Sequence, residues 1–183
     1  MTDALQTELD LPRYKKPPHS AWHGIALVGR NGCGKSSLLK LLIGQPIAHT
    51  GTLEIGSRLT VSYVPQDMSF LSGSADDFAA ESEIDITLFK TILRKLDFKR
   101  TQFTKDMSEF SMGQKKKVLL ARSLCQRANL YIWDEPLNYI DVISRLQIET
   151  LILEYKPTML FVEHDEAFVN DIATKVCRIS LNQ

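Results

Sequence analysis

Cysteine is scarce in this sequence: Cys33, Cys125 and Cys177 are the only three in 183 residues, and none forms a CxxC pair. An odd number at such wide spacing excludes a disulfide framework and a zinc site, and it reads as reduced thiols. Long apolar runs are missing as well. None approaches the ~20 residues that span a bilayer, so no membrane insertion is expected. The opening MTDALQTELD is acidic where a secretory signal would be basic and then apolar, which gives a cytoplasmic reading. Charge of one sign is also lacking. The 22 basic residues cancel the 22 acidic ones, so net charge supplies no general attraction to nucleic acid or anionic membrane. Internal repeats and low-complexity segments are not found. What remains is a composition 44% hydrophobic and 24% charged, that of a globular chain with one substantial core, too short for two ordinary domains.

The first two dozen residues differ from the rest. Pro12, Pro17 and Pro18 with Lys15 and Lys16 suit a loose or extended segment better than a central strand. Downstream, Ile25–Val28, Leu130–Trp133 and Thr158–Val162 are continuous apolar runs of the kind found in buried parallel strands. Shorter strand candidates are Gly51–Ile55 and Leu59–Val64. Helical periodicity follows in Lys35–Ile43, in Leu88, Ile92 and Leu96, in Gln114–Cys125, and in Ile143, Leu146, Thr150 and Leu153, where Pro157 ends the pattern. Alternating strand and helix signals imply an α/β domain with a mainly parallel sheet. In such sheets ligands bind outside the carboxyl ends of the strands. Here a glycine-rich loop follows Val28, two acids follow Trp133, and Glu163-His164-Asp165 follows Val162, so polar chemistry converges on one sheet edge.

The loop is GRNGCGKSS, which fits G-x-x-x-x-G-K-[ST] through Gly29, Gly34, Lys35 and Ser36. Its glycines let the backbone curl until successive N–H groups point at phosphate oxygens, and the following helix adds its positive end. Gly29, Arg30, Asn31, Gly32, Cys33, Gly34, Lys35, Ser36 and Ser37 are therefore the expected nucleotide-binding residues. Lys35 would neutralise the β- and γ-phosphates, and Ser36 would hold Mg²⁺, an ion that keeps most of its waters and takes few protein ligands. Cys33 reads as a small space-filler. Beside this loop, Asp134 becomes a partner of Mg²⁺ and Glu135 becomes the base that orients and deprotonates water. Without the loop, two acids in WDEPLNYID would be read as a turn.

At this point the residues resemble the ATP-binding-cassette (ABC) ATPases, from Ile25 to Leu181. YVPQD is similar to the Q-loop, with Gln66 reaching the metal and the water. FSMGQ, through Ser111, Met112, Gly113 and Gln114, is similar to the signature motif. WDEP is similar to the Walker B acid and catalytic glutamate, Asn138–Asp141 to the D-loop, and His164 to the switch histidine. Met112 stands where the signature usually has glycine, and Glu163 where many members have serine. The resemblance implies a P-loop NTPase cassette over residues 25–183 with an inserted helical subdomain at about residues 68–128. It also implies ATP and Mg²⁺ as ligands and catalysis by Glu135 and His164. Ser111, Met112, Gly113 and Gln114 would face nucleotide held by a second cassette, either in a homodimer or in a separate N-terminal half. Asp141 would lie in the D-loop between them. Ser111 as an ordinary helix N-cap describes the same local geometry without a ligand.

LNYID and EHD resemble the ABC-F subfamily, soluble ATPases that act on ribosomes. The stretch from Leu119 to Tyr155 is similar to the C-terminal cassette of members that protect ribosomes from antibiotics, so the ribosome is an expected partner. Against that pattern, one cassette is present without the family's long linker. Its N-terminal β-subdomain looks truncated over residues 1–24, where Tyr14 or Trp22 would be the candidates to stack on adenine. Lys115, Lys116 and Lys117, with Arg122 and Arg127, read as a solvated face, with the lysines also placed near nucleotide phosphate, rather than as an RNA site. Two other readings stay open: the nucleotide-binding subunit of an ABC transporter, and a truncated cassette that binds ATP without turnover.

Overall fold

A computed structural model describes residues 23–179. Five strands, β1 (Gly24–Val28), β2 (Val61–Val64), β3 (Leu130–Asp134), β4 (Met159–Val162) and β5 (Lys175–Arg178), form one sheet in the order β2-β3-β4-β1-β5. Every pairing is parallel, with Trp133 beside Phe161 and Leu27 beside Val162. A parallel sheet is covered on both faces, which is why its central strands are apolar without alternation. Successive side chains nevertheless divide between the two sides. Leu27, Ile132 and Val162 pack with Leu39 of α1 (Lys35–Leu42), whereas Ala26, Trp133 and Phe161 face the larger cluster with Phe168, Ile148 and Ile172.

The chain between β2 and β3 is occupied by α2 (Ala75–Glu81), α3 (Ile86–Lys95), two short 3₁₀ turns and α4 (Met112–Cys125). Phe89, Ile92 and Leu93 of α3 are buried, and Phe98 stacks near Phe103 and Phe110 at 5.3 Å from each. Ser74 and Asp85 cap α2 and α3 by accepting the N–H groups of Asp77 and Leu88. Helices α5 (Val142–Tyr155) and α6 (Glu166–Ile172) complete the order, each capped by an aspartate, Asp141 and Asp165.

Two expectations need correction, those for residues 51–55 and for the lysines of α4. Residues 51–55 form no strand, and Leu53 and Ile55 are exposed, so their apolar alternation finds no sheet to join. On α5 the buried residues are Ser144, Ile148 and Ile152, while Ile143, Leu146 and Leu153 face outward: the helix forms, with the core on its other side. Lys116 and Lys117 are buried rather than solvated, because α4 runs under the sheet edge with this face inward. Tyr14 and Trp22 lie outside the described residues, as does nearly all of the segment 1–24. Among the described residues no helix is long and apolar enough to cross a membrane.

Candidate nucleotide site

The carboxyl ends of β1, β2, β3 and β4 deliver the glycine-rich loop, Gln66, Asp134-Glu135 and Glu163-His164 to one edge of the sheet. The loop needs its glycines for different reasons. Gly32 and Gly34 sit at φ 78° and 93°, left-handed backbone that side chains disfavour. At Gly29 a Cβ would lie 2.6 Å from the Ile179 carbonyl oxygen and 2.7 Å from Cys33 Sγ. Cys33 is buried and fills space under the loop. Lys35, also buried, donates from Nζ to the carbonyls of Gly29 and Arg30 at 2.9 and 3.2 Å, which holds its ammonium against the loop.

Asn31, Gly32, Gly34, Lys35, Ser36 and Ser37 line a cleft of about 520 Å³ together with Gln66, Glu135 and His164. Gly29, Arg30, Cys33 and Asp134 belong to the same structure without lining it: Arg30 points to solvent, Gly29 and Cys33 lie beneath the loop, and Asp134 is sealed below. Glu135 has left-handed backbone at φ 49°, a conformation that costs on the order of 1–3 kcal/mol in a residue with a side chain. Its neighbours hold it there. Glu135 N–H donates to the Val162 carbonyl at 3.0 Å, and its Oε2 accepts from Gln66 Nε2 at 2.8 Å and Asn138 Nδ2 at 2.5 Å. His164 Nε2 stands 3.5 Å from Glu135 Oε1. The turn thus aims a carboxylate into the cleft with one face braced by amides and the other beside an imidazole.

Asp134 is wholly buried, and neither carboxylate oxygen has a hydrogen-bond partner that meets normal geometry. Burial pushes its carboxyl above the ordinary range, and the nearby Ser36 hydroxyl works against that rise. An orphaned buried carboxylate next to a hydroxyl fits a divalent cation that completes its shell with phosphate oxygens and water. Among the described residues no three His, Cys, Asp or Glu side chains converge on an all-protein metal cage. Gln66, expected at the metal, is bonded to Glu135 here.

Ser111, Met112, Gly113 and Gln114 are not on this cleft. They open α4 as a capping box: Ser111 Oγ accepts Gln114 N–H at 3.3 Å, and Gln114 Oε1 accepts Ser111 N–H at 2.9 Å. Met112 is exposed, and a Cβ on Gly113 would come within 2.5 Å of the Tyr139 carbonyl oxygen. Lys117 Nζ pairs with Asp141 at 2.6 Å, so the start of α4 and the loop ending at Asp141 form one surface. Burial acts to raise the Asp141 carboxyl, but Lys117 and the N–H and hydroxyl of Ser144 hold it well below the usual range.

Sequence reasoning missed the place of Lys116. It is fully buried and donates to the carbonyls of Pro65, before Gln66, and of Asp134, at 3.2 and 3.4 Å. Burial lowers the affinity of its amine for a proton, while Asp134, Glu135 and Glu163 raise it. No sequence signal marked it: residues 116–121 and 123 of α4 are all buried, so the helix has no single apolar face from which the burial of Lys116 could be read.

Comparison with known proteins gives the family. The family profile described as "ABC transporter" matches residues 21–138. The "Putative ATP-binding protein YdiF" of Bacillus subtilis is 37% identical over 162 residues, covering 85% of this chain and 25% of the relative. The "ABC transporter F family member 2" of Arabidopsis thaliana is 30% identical, covering 85% of this chain and 24% of that protein. The chain thus spans about a quarter of the length of these curated relatives. Among solved structures, that of an archaeal ribosome recycling factor in complex with the archaeal ribosomal stalk protein has a TM-score of 0.69 at 27% identity, over 86% of this chain and 32% of that one. The glycine-rich loop, the acid pair at the end of β3 and a profile that covers both lead to one assignment: the chain belongs to the ABC family of ATPases, as a cassette of the ABC-F type.

Proposed function

We propose that the chain binds ATP in the cleft and hydrolyses it in a composite site completed by the signature residues of a second cassette. The observation that carries this reading is Glu135, aimed into a phosphate-binding cleft by Gln66 and Asn138 and flanked by His164. Backbone N–H groups from Gly32 to Ser37 and the Lys35 ammonium bind the phosphates. Glu135 takes a proton from the attacking water, Gln66 orients that water, and His164 contacts the γ-phosphate. Ser36, Asp134 and Gln66 would hold Mg²⁺, which supplies charge neutralisation to the β- and γ-phosphates when bound. Ser111, Met112, Gly113 and Gln114 serve the partner's nucleotide, with Asp141 in the loop between the two cassettes. The test is Glu135→Gln in the full chain: ATP binding kept and hydrolysis lost is the expected result, and normal turnover would refute it.

The biological setting we infer is translation, as an ABC-F-type cassette that acts on ribosomes and protects them from antibiotics. Support comes from the LNYID and EHD motifs, the F-type relative and the ribosome-recycling neighbour. Ribosome pelleting with Glu135→Gln and ATP checks it. The competing reading, a transporter's nucleotide-binding subunit, draws on the family profile and predicts co-purification with a membrane protein instead.

A further inference from the structure

Behind the cleft, and not lining it, lies a carboxylate with no role in the chemistry above. Glu163 is 6% exposed. Its Oε1 accepts the N–H of His164 at 2.7 Å and of Asp165 at 3.4 Å, and its Oε2 accepts the N–H of Leu137 at 3.1 Å. These donors belong to two loops. One follows β4 and carries His164; the other is the turn after β3, where Asn138 holds Glu135. An ionised acceptor makes shorter and stronger hydrogen bonds than a neutral one, and more so away from water. A single carboxylate therefore bolts together the two loops whose side chains meet, His164 against Glu135 at 3.5 Å.

Geometry makes the acid specific. A serine has one oxygen on a shorter side chain and can reach its own loop but not Leu137. A glutamine of the same length presents one carbonyl oxygen and one amide group, and the amide repels whichever N–H it faces.

We propose that Glu163 is a positioning residue: it locks the His164 loop to the Leu137–Asn138 turn so that His164 and Glu135 meet the γ-phosphate as one rigid unit. The inference rests on the roles assigned above to Glu135 and His164. The test compares the full chain with Glu163→Gln and Glu163→Ser by backbone amide hydrogen exchange, by equilibrium ATP binding, and by kcat and KM for ATP hydrolysis. Glu163→Ser should exchange the Leu137 amide about tenfold faster, and Glu163→Gln the amide of Leu137 or of His164, whichever its amide group faces, with strand amides of β3 and β4 unchanged. ATP affinity should stay within about twofold while kcat falls about tenfold or more, the pattern of a group that acts on the reacting geometry and not on binding. Added to Glu135→Gln, Glu163→Gln should slow single-turnover hydrolysis no further, since residues acting as a unit are not additive. Unchanged exchange at Leu137 and His164 overturns the proposal. So does exchange accelerated throughout β3 and β4 with matching losses of ATP affinity, which would make Glu163 a residue of the fold. Turnover undiminished by Glu135→Gln would remove the underlying assignment instead, and the exchange data would still decide whether Glu163 ties the loops.

Discussion

Two adjacent acids at the end of one strand live in different environments. Asp134 points down into the protein and Glu135, turned by its left-handed backbone, points into the cleft. Glu135→Gln keeps the shape and the bond to Gln66 or Asn138 but removes the proposed base, so turnover should fall by on the order of 10²-fold or more while ATP stays bound. Steady-state hydrolysis beside filter binding of labelled ATP checks this. Asp134→Asn has a different signature. It removes a charge that burial disfavours and that no hydrogen bond of normal geometry satisfies, while Glu135 and Glu163 remain beside the buried Lys116, so the nucleotide-free protein should unfold at about the same temperature. The extra stabilisation that Mg²⁺ adds to ATP binding should vanish with it, seen as thermal unfolding curves with ATP that no longer respond to Mg²⁺ or to its removal by chelator. The place of Glu135 at the cleft was legible in the sequence because an acid pair follows an apolar strand whose end lies at the edge marked by the glycine-rich loop. Lys116 and Glu163 were not, because a lysine run and an acid after a strand both read as surface until tertiary contacts bury them.

The elements carry function through their ends. Ser111 is at once the N-cap of α4 and the residue expected to face a partner's phosphate, and substitution separates these duties. Ser111→Ala should cost about 1 kcal/mol of stability through the lost cap. Ser111→Asp caps as well as serine yet sets a negative charge at the anion site, so denaturant unfolding should match the parent while ATP hydrolysis collapses. The caps of α5 and α6 set a pH dependence. Arg145 and the Phe168 N–H hold the Asp165 carboxyl low, and Asp141 is low through Lys117 and Ser144 despite burial. Folded values below the ordinary 3.8 mean stability intact above that pH and lost as pH falls through the depressed values. Asp141→Asn should flatten that acid limb in unfolding experiments between about pH 4 and about pH 2. Elements with continuous apolar strands or periodic helices were readable from sequence, as β1, β3, β4, α1 and α4 show. The short edge strand β5 was not, since Lys175–Arg178 is exposed throughout and carries no burial pattern. The helix α5 was readable but its core face was not, because both of its sides hold apolar residues and periodicity could not tell core from surface.

At the scale of the whole molecule, one chain carries both halves of the proposed reaction centre on different surfaces. The cleft holds the proposed phosphate-binding and water-activating groups, and the start of α4 is tied by Lys117–Asp141 and by the close approach of Gly113 to Tyr139 to the loop beyond the acids. No signature residue lines its own cleft. If two cassettes complete each other, the rate per molecule must rise with protein concentration until dimers saturate. A sharper form uses two defective chains. Lys35→Ala spoils the cleft and leaves the signature, whereas Ser111→Asp spoils the signature and leaves the cleft. Alone, each should be inactive. Mixed in equal amounts, half of the dimers formed would be mixed ones, each with one site built from an intact cleft and an intact signature, so hydrolysis should recover to about a quarter of the parent rate under two-fold symmetric pairing. A site complete within one chain would show no recovery on mixing. The complementation experiment therefore separates a composite centre from a self-sufficient one without the need to identify any larger assembly in which the cassette works.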